Sequence, residues 1–228
     1  MKKILVFAAH PDDELLGCGA TLLKYQKKGF KIKTFFFGDG ESSRNLDKKK
    51  ILKSIIKREK QAESVSKKGK FEKPIFKRFP DNKLDTVPLL DIVKFIEKQI
   101  RDNKPEIIFT HFENDLNIDH RFAYEATITA ARPFEKSTVN SILSFESISS
   151  SDLRHPYSFK PNLFIEISKE LPYKLRALAE YKNEIKKFPH PRSKKSLEAM
   201  ALRWGSLYGY NAAEAFEIIF SRSKKLQF

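Results

Sequence analysis

Ile4-Leu5-Val6-Phe7-Ala8-Ala9-His10-Pro11-Asp12-Asp13-Glu14 is the stretch on which the fold turns. Its first six residues are an unbroken apolar run, short enough for a strand and apolar enough for one covered on both faces. The run ends abruptly on polar and charged groups. A signal peptide, which Lys2 and Lys3 would otherwise suggest, is therefore not expected, and the stretch reads as the first buried strand of a cytoplasmic protein. Leu15 to Lys28 reads as a helix, with Gly29 just past its end. The charged residues thus sit in a strand-to-helix turn.

The same alternation continues outward. Ile32 to Phe37 reads as a second strand closed by Gly38-Asp39-Gly40, followed by a charged helix from Lys48 to Lys68 that stops near Gly69. Pro74 to Phe79 is a shorter strand. Leu89, Ile92, Val93, Ile96 and Ile100 mark one face of a helix. Glu106 to Thr110 is a strand, and Asp119 to Ala131 a helix ending before Pro133. Strands alternating with helices predict an α/β fold: a three-layer, Rossmann-like, doubly wound and mostly parallel sheet. Past Pro133 the pattern changes to a C-terminal elaboration. Strands are expected at Ser141 to Ser147 and Leu163 to Ser168, and helices at Lys174 to Lys187 and around Leu197, Met200, Ala201, Trp204 and Tyr208. No repeat or linker divides the 228 residues, so one domain over 1–228 is expected, with a core at 1–133 completed by 134–228.

With 40% hydrophobic residues, 8 Gly and 11 Pro, disordered and collagen-like classes are excluded. No run approaches the ~18 apolar residues of a membrane span. The single Cys18 makes no internal disulfide and reads as a small buried side chain in a reducing compartment. The net charge of +15 raises the question of a polyanionic partner. Lys outnumbers Arg 33 to 11, whereas bidentate readers of phosphates and bases favour Arg. No nucleic-acid partner is expected, although 16 of the lysines fall between Lys24 and Lys77. An oligomer of identical chains is compatible with the sequence.

Chemistry in such a sheet is expected at the carboxyl ends of its strands. The first strand delivers His10, Asp12 and Asp13. The fourth delivers His111, then Asp115-Leu116-Asn117-Ile118-Asp119-His120-Arg121. Gly17-Cys18-Gly19 lacks the spacing of a phosphate-binding loop. His and Asp suit Zn2+ or another divalent ion, and a catalytic site takes about three protein ligands. His10, Asp13 and His120 can converge on one ion, leaving Asp12 free to take a proton from an attacking water.

Ala9-His10-Pro11-Asp12-Asp13-Glu14 together with Asp119-His120-Arg121 resembles the signature of the LmbE-like, or PIG-L, family of zinc-dependent N-acetyl deacetylases. The resemblance continues through Gly38-Asp39-Gly40-Glu41, Arg58-Glu59, Phe79-Pro80-Asp81, His190-Pro191-Arg192-Ser193, Arg203-Trp204-Gly205 and Ala213-Glu214-Ala215-Phe216. It implies zinc on His10, Asp13 and His120 and a general base at Asp12. It also implies Arg58 and Asp81 in the substrate pocket, and an N-acetylated amino-sugar substrate: glucosaminyl lipids, glucosaminyl thiol precursors or chitooligosaccharides. Many members carry His where this chain has Asn117. An amide there can donate to an oxyanion but cannot act as an acid. Asn117 is thus the oxyanion candidate, His111 an alternative proton donor or substrate contact, and Asp119 a group that orients a neighbouring donor or ligand. The +15 charge would then steer a phosphate-bearing amino sugar. Two other readings stay open: a metal-dependent hydrolase of another amide or a phosphoester, and a basic binding protein with a degenerate metal site.

Overall fold

The computed structural model describes residues 2–44, 47–134 and 137–223. Seven strands form one sheet: β1 (Lys3–Ala8), β2 (Lys31–Gly38), β3 (Ile75–Phe79), β4 (Ile107–His111), β5 (Ser141–Phe145), β6 (Leu163–Glu166) and β7 (Ala213–Ser221). Their order is β3-β2-β1-β4-β5-β7-β6. The first five pair in parallel, and β7 runs antiparallel to both β5 and β6. Six helices, α1 (Asp13–Lys27), α2 (Lys48–Gly69), α3 (Leu89–Asn103), α4 (Ile118–Ala130), α5 (Leu171–Ala177) and α6 (Lys194–Leu207), cover its two faces.

β1 shows why its sequence is apolar without alternation. Ile4, Val6 and Ala8 join the core under α1, α2, α5 and α6, while Leu5, Phe7 and Ala9 join a second core with α3 and α4. Both faces are buried, as a central parallel strand requires. After β1 the chain winds outward to β2 and β3, then returns to place β4 on the other side of β1. The β1–β4 boundary is therefore the switch point, where the two crossovers diverge and leave a crevice.

Two expectations are corrected. The helix expected over 174–187 is α5, starting earlier with Pro172 in its first turn and continuing only as a 3-10 turn at Leu178–Glu180. It stops because the next residues are claimed by the interior. Tyr181 is fully buried with its hydroxyl on Glu14, and Glu184 faces Arg44, Arg58 and Arg192. β7 is a strand for which only a motif was expected; Phe216 joins one core and Ile219 and Phe220 the other, across a register shift that breaks the alternation.

The C-terminal part is bound to α1 by a buried ion pair. Lys174 Nζ lies 2.7 Å from Glu214 Oε1 and donates to Leu16 O at 2.6 Å. Glu214 in turn accepts from Ala20 N and Thr21 N at 3.1 and 2.7 Å. Gly17 lets α1 approach β5, since a Cβ there would lie 2.2 Å from the Phe145 ring. Among the described residues no helix is long and apolar enough to cross a membrane.

Candidate metal centre and active site

At the switch point the β1–α1 turn is held in an unusual shape. Asp12 has φ +132°, outside the range comfortable for a side-chain-bearing residue. Glu14 supports it: one carboxylate oxygen accepts from Asp12 N at 3.0 Å, the other from the Tyr181 hydroxyl at 2.7 Å. Burial pushes the Glu14 carboxyl up to about 8, against these two hydrogen bonds. The turn aims Asp12 and Asp13 into the crevice, both fully buried.

His10, Asp13 and His120 each offer a ligand atom within 4.8 Å of the others. A second set, His10 with Asp81 and Asp119, meets the same distance. Hydrogen bonding separates them. Asp13 Oδ1 and His120 Nε2 are buried without any partner, which is the mark of atoms reserved for an ion. In the second set Asp119 accepts from Leu84 N and Asn82 N, and Asp81 from the Ser43 hydroxyl. The first set fits a divalent cation, and its two-nitrogen, one-carboxylate chemistry suits zinc or Fe(II).

Each histidine is backed by a carboxylate. His10 Nε2 lies 2.9 Å from Asp119 Oδ2 and 3.1 Å from Asp81 Oδ1, and its Nδ1 faces Asp13 at 3.5 Å. His120 Nδ1 stands 3.2 Å from Asp115 Oδ1 and Nε2 is 3.5 Å from Asp13 Oδ2. Asp115 is fixed by Asn117 N and the Ser151 hydroxyl. This is the arrangement in which an outer carboxylate sets the tautomer and basicity of a ligating imidazole. Burial alone would raise the Asp13 carboxyl; its histidine neighbours, His120 foremost, bring it well below the ordinary range. Asp81 and Asp115 are both held down at about 2, against burial, chiefly by His10 and His120 respectively.

Asp12 lies beside this cluster between two guanidinium groups. Arg58 Nη2 donates to Oδ1 at 3.1 Å and Arg192 Nη1 to Oδ2 at 3.0 Å. Burial raises its pKa above the ordinary carboxylate value, with Arg192 and Arg58 pulling the other way. Such a carboxylate is more basic than one in water.

The remaining expected residues take more particular places. Asn117 caps α4, accepting from Asp119 N at 2.8 Å and donating from Nδ2 to Asn82 Oδ1 at 3.1 Å. It lines a cavity of about 190 Å3 together with His10, Asp81, Asn82, Arg44, Arg58, Glu184 and Arg192. Two placements, those of Arg58 and His111, differ from expectation. Arg58 stands in the cavity wall, but its guanidinium is turned on the protein, donating to Pro11 O, Gly40 O, Glu41 and Asp12. Gly40 allows this contact, because a Cβ there would meet the guanidinium at 2.8 Å. His111 is wholly buried under His120, ring centroids 4.0 Å apart, with Nε2 accepting from Ala9 N. Burial, then His120, lowers its pKa to about 3, so it is neutral and out of reach of the cavity. Asp119, for which an orienting place was expected, is fully buried with Oδ2 2.9 Å from His10 Nε2.

Sequence reasoning gave no role to Arg192, Asp115, Glu184 or Asn82. Asp115 carried a readable signal, an acidic residue five before a ligand histidine at the same strand end. Arg192 carried only its place in the His190-Pro191-Arg192-Ser193 stretch of the resemblance, with nothing to tie it to Asp12, 180 positions away.

Comparison with known proteins bears on the same residues. Residues 5–131 match the family model described as PIG-L, GlcNAc-PI de-N-acetylase. The chain is 30% identical over 188 residues to the uncharacterized deacetylase YaiS of Escherichia coli (strain K12), covering 80% of this chain and 91% of that protein. It is 25% identical over 227 residues to the diacetylchitobiose deacetylase of Thermococcus kodakarensis, covering 96% and 84%. The crystal structure of GalB, the 4-carboxy-2-hydroxymuconate hydratase of Pseudomonas putida KT2440, superposes with TM-score 0.78 at 18% identity over the full length of both chains. The last likeness concerns the fold alone, which does not choose a reaction.

Proposed function

The chain belongs to the PIG-L family, that of GlcNAc-PI de-N-acetylase, and on that premise we propose that it is a metal-dependent hydrolase removing the acetyl group of an N-acetylated amino sugar. The observation that carries the reading is the pairing of a buried ligand set, in which Asp13 Oδ1 and His120 Nε2 have no hydrogen bond, with an adjacent clamped carboxylate. The names of YaiS and of the diacetylchitobiose deacetylase support the acetyl group and the sugar.

His10 through Nδ1, Asp13 through Oδ1 and His120 through Nε2 would hold the ion, zinc by the preference of the donors. A bound divalent ion would supply Lewis-acid polarisation of the amide carbonyl and lower the pKa of a water. Asp12 takes the proton of the attacking water on a carboxylate oxygen and returns it to the departing amine nitrogen. Arg58 and Arg192 fix both of its oxygens while it does so. Asn117, held by Asp119 N and Asn82, has one amide hydrogen left to donate to the developing oxyanion. Asp119 and Asp115 keep the two imidazoles in the required tautomers. His111 serves as a neutral spacer beneath His120.

The cavity of about 190 Å3 suits the acetamido end of a sugar, with the remainder outside. Among the described residues no lysine lines this cavity and the Arg58 donors are spent on the protein, so a phosphate on that remainder is not part of the reading. The deciding experiment is acetate release over a panel of N-acetyl sugars, nucleotide sugars and sugar–lipid conjugates. Release from none of them by metal-loaded protein contradicts the proposal.

A further inference from the structure

The lysines between positions 24 and 77 that the sequence marked out do not line the catalytic cavity. Lys50, Lys53, Lys57 and Lys60 lie along α2, on the wall of a separate groove of about 850 Å3 between that helix and the segment carrying Lys182. Among the described residues Lys53, Lys57 and Lys60 have no ion-pair partner. The one carboxylate in the groove, Glu180, is taken by Ser64 and Lys68. Beside the lysines on the helix stand two branched apolar side chains, Leu52 at 53% exposure and Ile56 at 40%, one turn apart, and the carboxylates further along that side, Glu59 and Glu63, are paired with Arg78 and Lys73. The buried face of the helix, with Ile55, Arg58, Ala62 and Val65, is satisfied without them.

We propose that this outer face of α2 docks the protein on an anionic lipid bilayer. Charge complementarity selects an anionic partner, and the two exposed apolar residues select among anionic partners. A water-borne polyanion would neutralise the lysines and leave Leu52 and Ile56 in water. At a lipid interface both needs are met together: apolar side chains enter the headgroup boundary while ammonium groups remain among the phosphates. The long lysine stems beside them suit that position, since they reach outward from an apolar surface. A second copy of this chain is disfavoured, because it would oppose lysines with lysines. The inference does not depend on the deacetylase reading, as none of these side chains belongs to the catalytic cavity.

The test is co-sedimentation of the full chain with vesicles of phosphatidylcholine alone and of phosphatidylcholine with roughly one-quarter phosphatidylglycerol, at about 0.15 M salt. Binding to the anionic vesicles should exceed binding to the neutral ones by at least about tenfold. Lys53→Glu with Lys57→Glu and Lys60→Glu should abolish that excess. Leu52→Ser with Ile56→Ser should reduce it by about tenfold or more. Both variants alter exposed positions and should keep wild-type Tm and wild-type turnover of a soluble substrate. Equal binding to both vesicle types overturns the proposal. So does a Leu52/Ile56 variant that binds as the wild type does while duplex DNA displaces the vesicles, which would make the face a general polyanion site.

Discussion

Arg192 Nη1 lies 3.0 Å from Asp12 Oδ2, so a residue from the loop before α6 holds the carboxylate that opens α1. Arg58 holds the other oxygen from α2, and the proposed base is thus gripped from two separate parts of the chain. A charge-assisted hydrogen bond of this kind is worth about 1.5–3 kcal/mol. Arg192→Ala should therefore lower kcat roughly ten- to hundredfold with metal content unchanged, as read by acetate release alongside metal analysis. Arg192→Lys should recover only part of the loss, since a point charge does not reproduce the fork that spans Asp12, Glu184 and Ser149. Full activity in Arg192→Ala would show that Arg58 suffices alone.

Asp115 and Asp119 stand behind the two histidines without reaching the cavity. Asp115→Asn and Asp119→Asn should each weaken metal binding about 10–100-fold, measured by competition with a chromophoric chelator. The effect of Asp119→Asn should be accompanied by loosening of the 82–84 segment, because Asn82 N and Leu84 N both donate to that carboxylate. Unchanged metal affinity in both variants would remove the carboxylate–histidine pairs from the account.

Glu146 gives a pH dependence whose sign is fixed. Burial pushes its carboxyl up from 4.5 to about 7, against the Trp204 Nε1 donor at 2.6 Å. Below pH 4.5 the group is protonated folded or unfolded, and its contribution to stability is fully present. Between 4.5 and about 7 only the unfolded chain ionises it, so stability is lost as pH rises through that window. Glu146→Gln retains an acceptor for Trp204 and removes the titration. Relative to wild type it should gain of order 1–3 kcal/mol in urea unfolding at pH 8 and little at pH 4. A gain independent of pH would contradict this assignment.

Lys174 and Glu214 are both nearly inaccessible and pair inside the core beside α1. Glu214→Ala strands a buried ammonium and frees the Ala20 and Thr21 amides, so a loss of about 3–5 kcal/mol is expected. Lys174→Met combined with Glu214→Gln should cost less than the two single changes summed, a coupling that urea melts of all four proteins would measure. Strict additivity would mean the pair is not an interacting unit.

The doubly wound sheet was legible because its elements are local: β1, β2, α3 and α4 each carry a periodicity and a stop signal within a few residues. The candidate ligand set was legible for the same reason. His10, Asp12 and Asp13 occupy one turn, and His120 begins the helix after β4. What escaped was set by distance along the chain. The reading of 174–187 as a helix followed local propensity, which the burial of Tyr181 and the ion pairs of Glu184 override. Arg58 was placed in the substrate pocket by resemblance, which says nothing of its partners, and Asp12 and the Pro11 and Gly40 carbonyls already use its donors. His111 ends the correct strand, but strand alternation turns it inward to Ala9 and Phe145.

The most direct test of the central claim compares wild type with Asp12→Asn, both loaded with the same stoichiometric divalent metal, in acetate release from N-acetylated amino sugars. The account predicts release by the wild type and a loss of roughly 10²–10⁴-fold in the variant with metal content unchanged. Undiminished turnover in Asp12→Asn would contradict it.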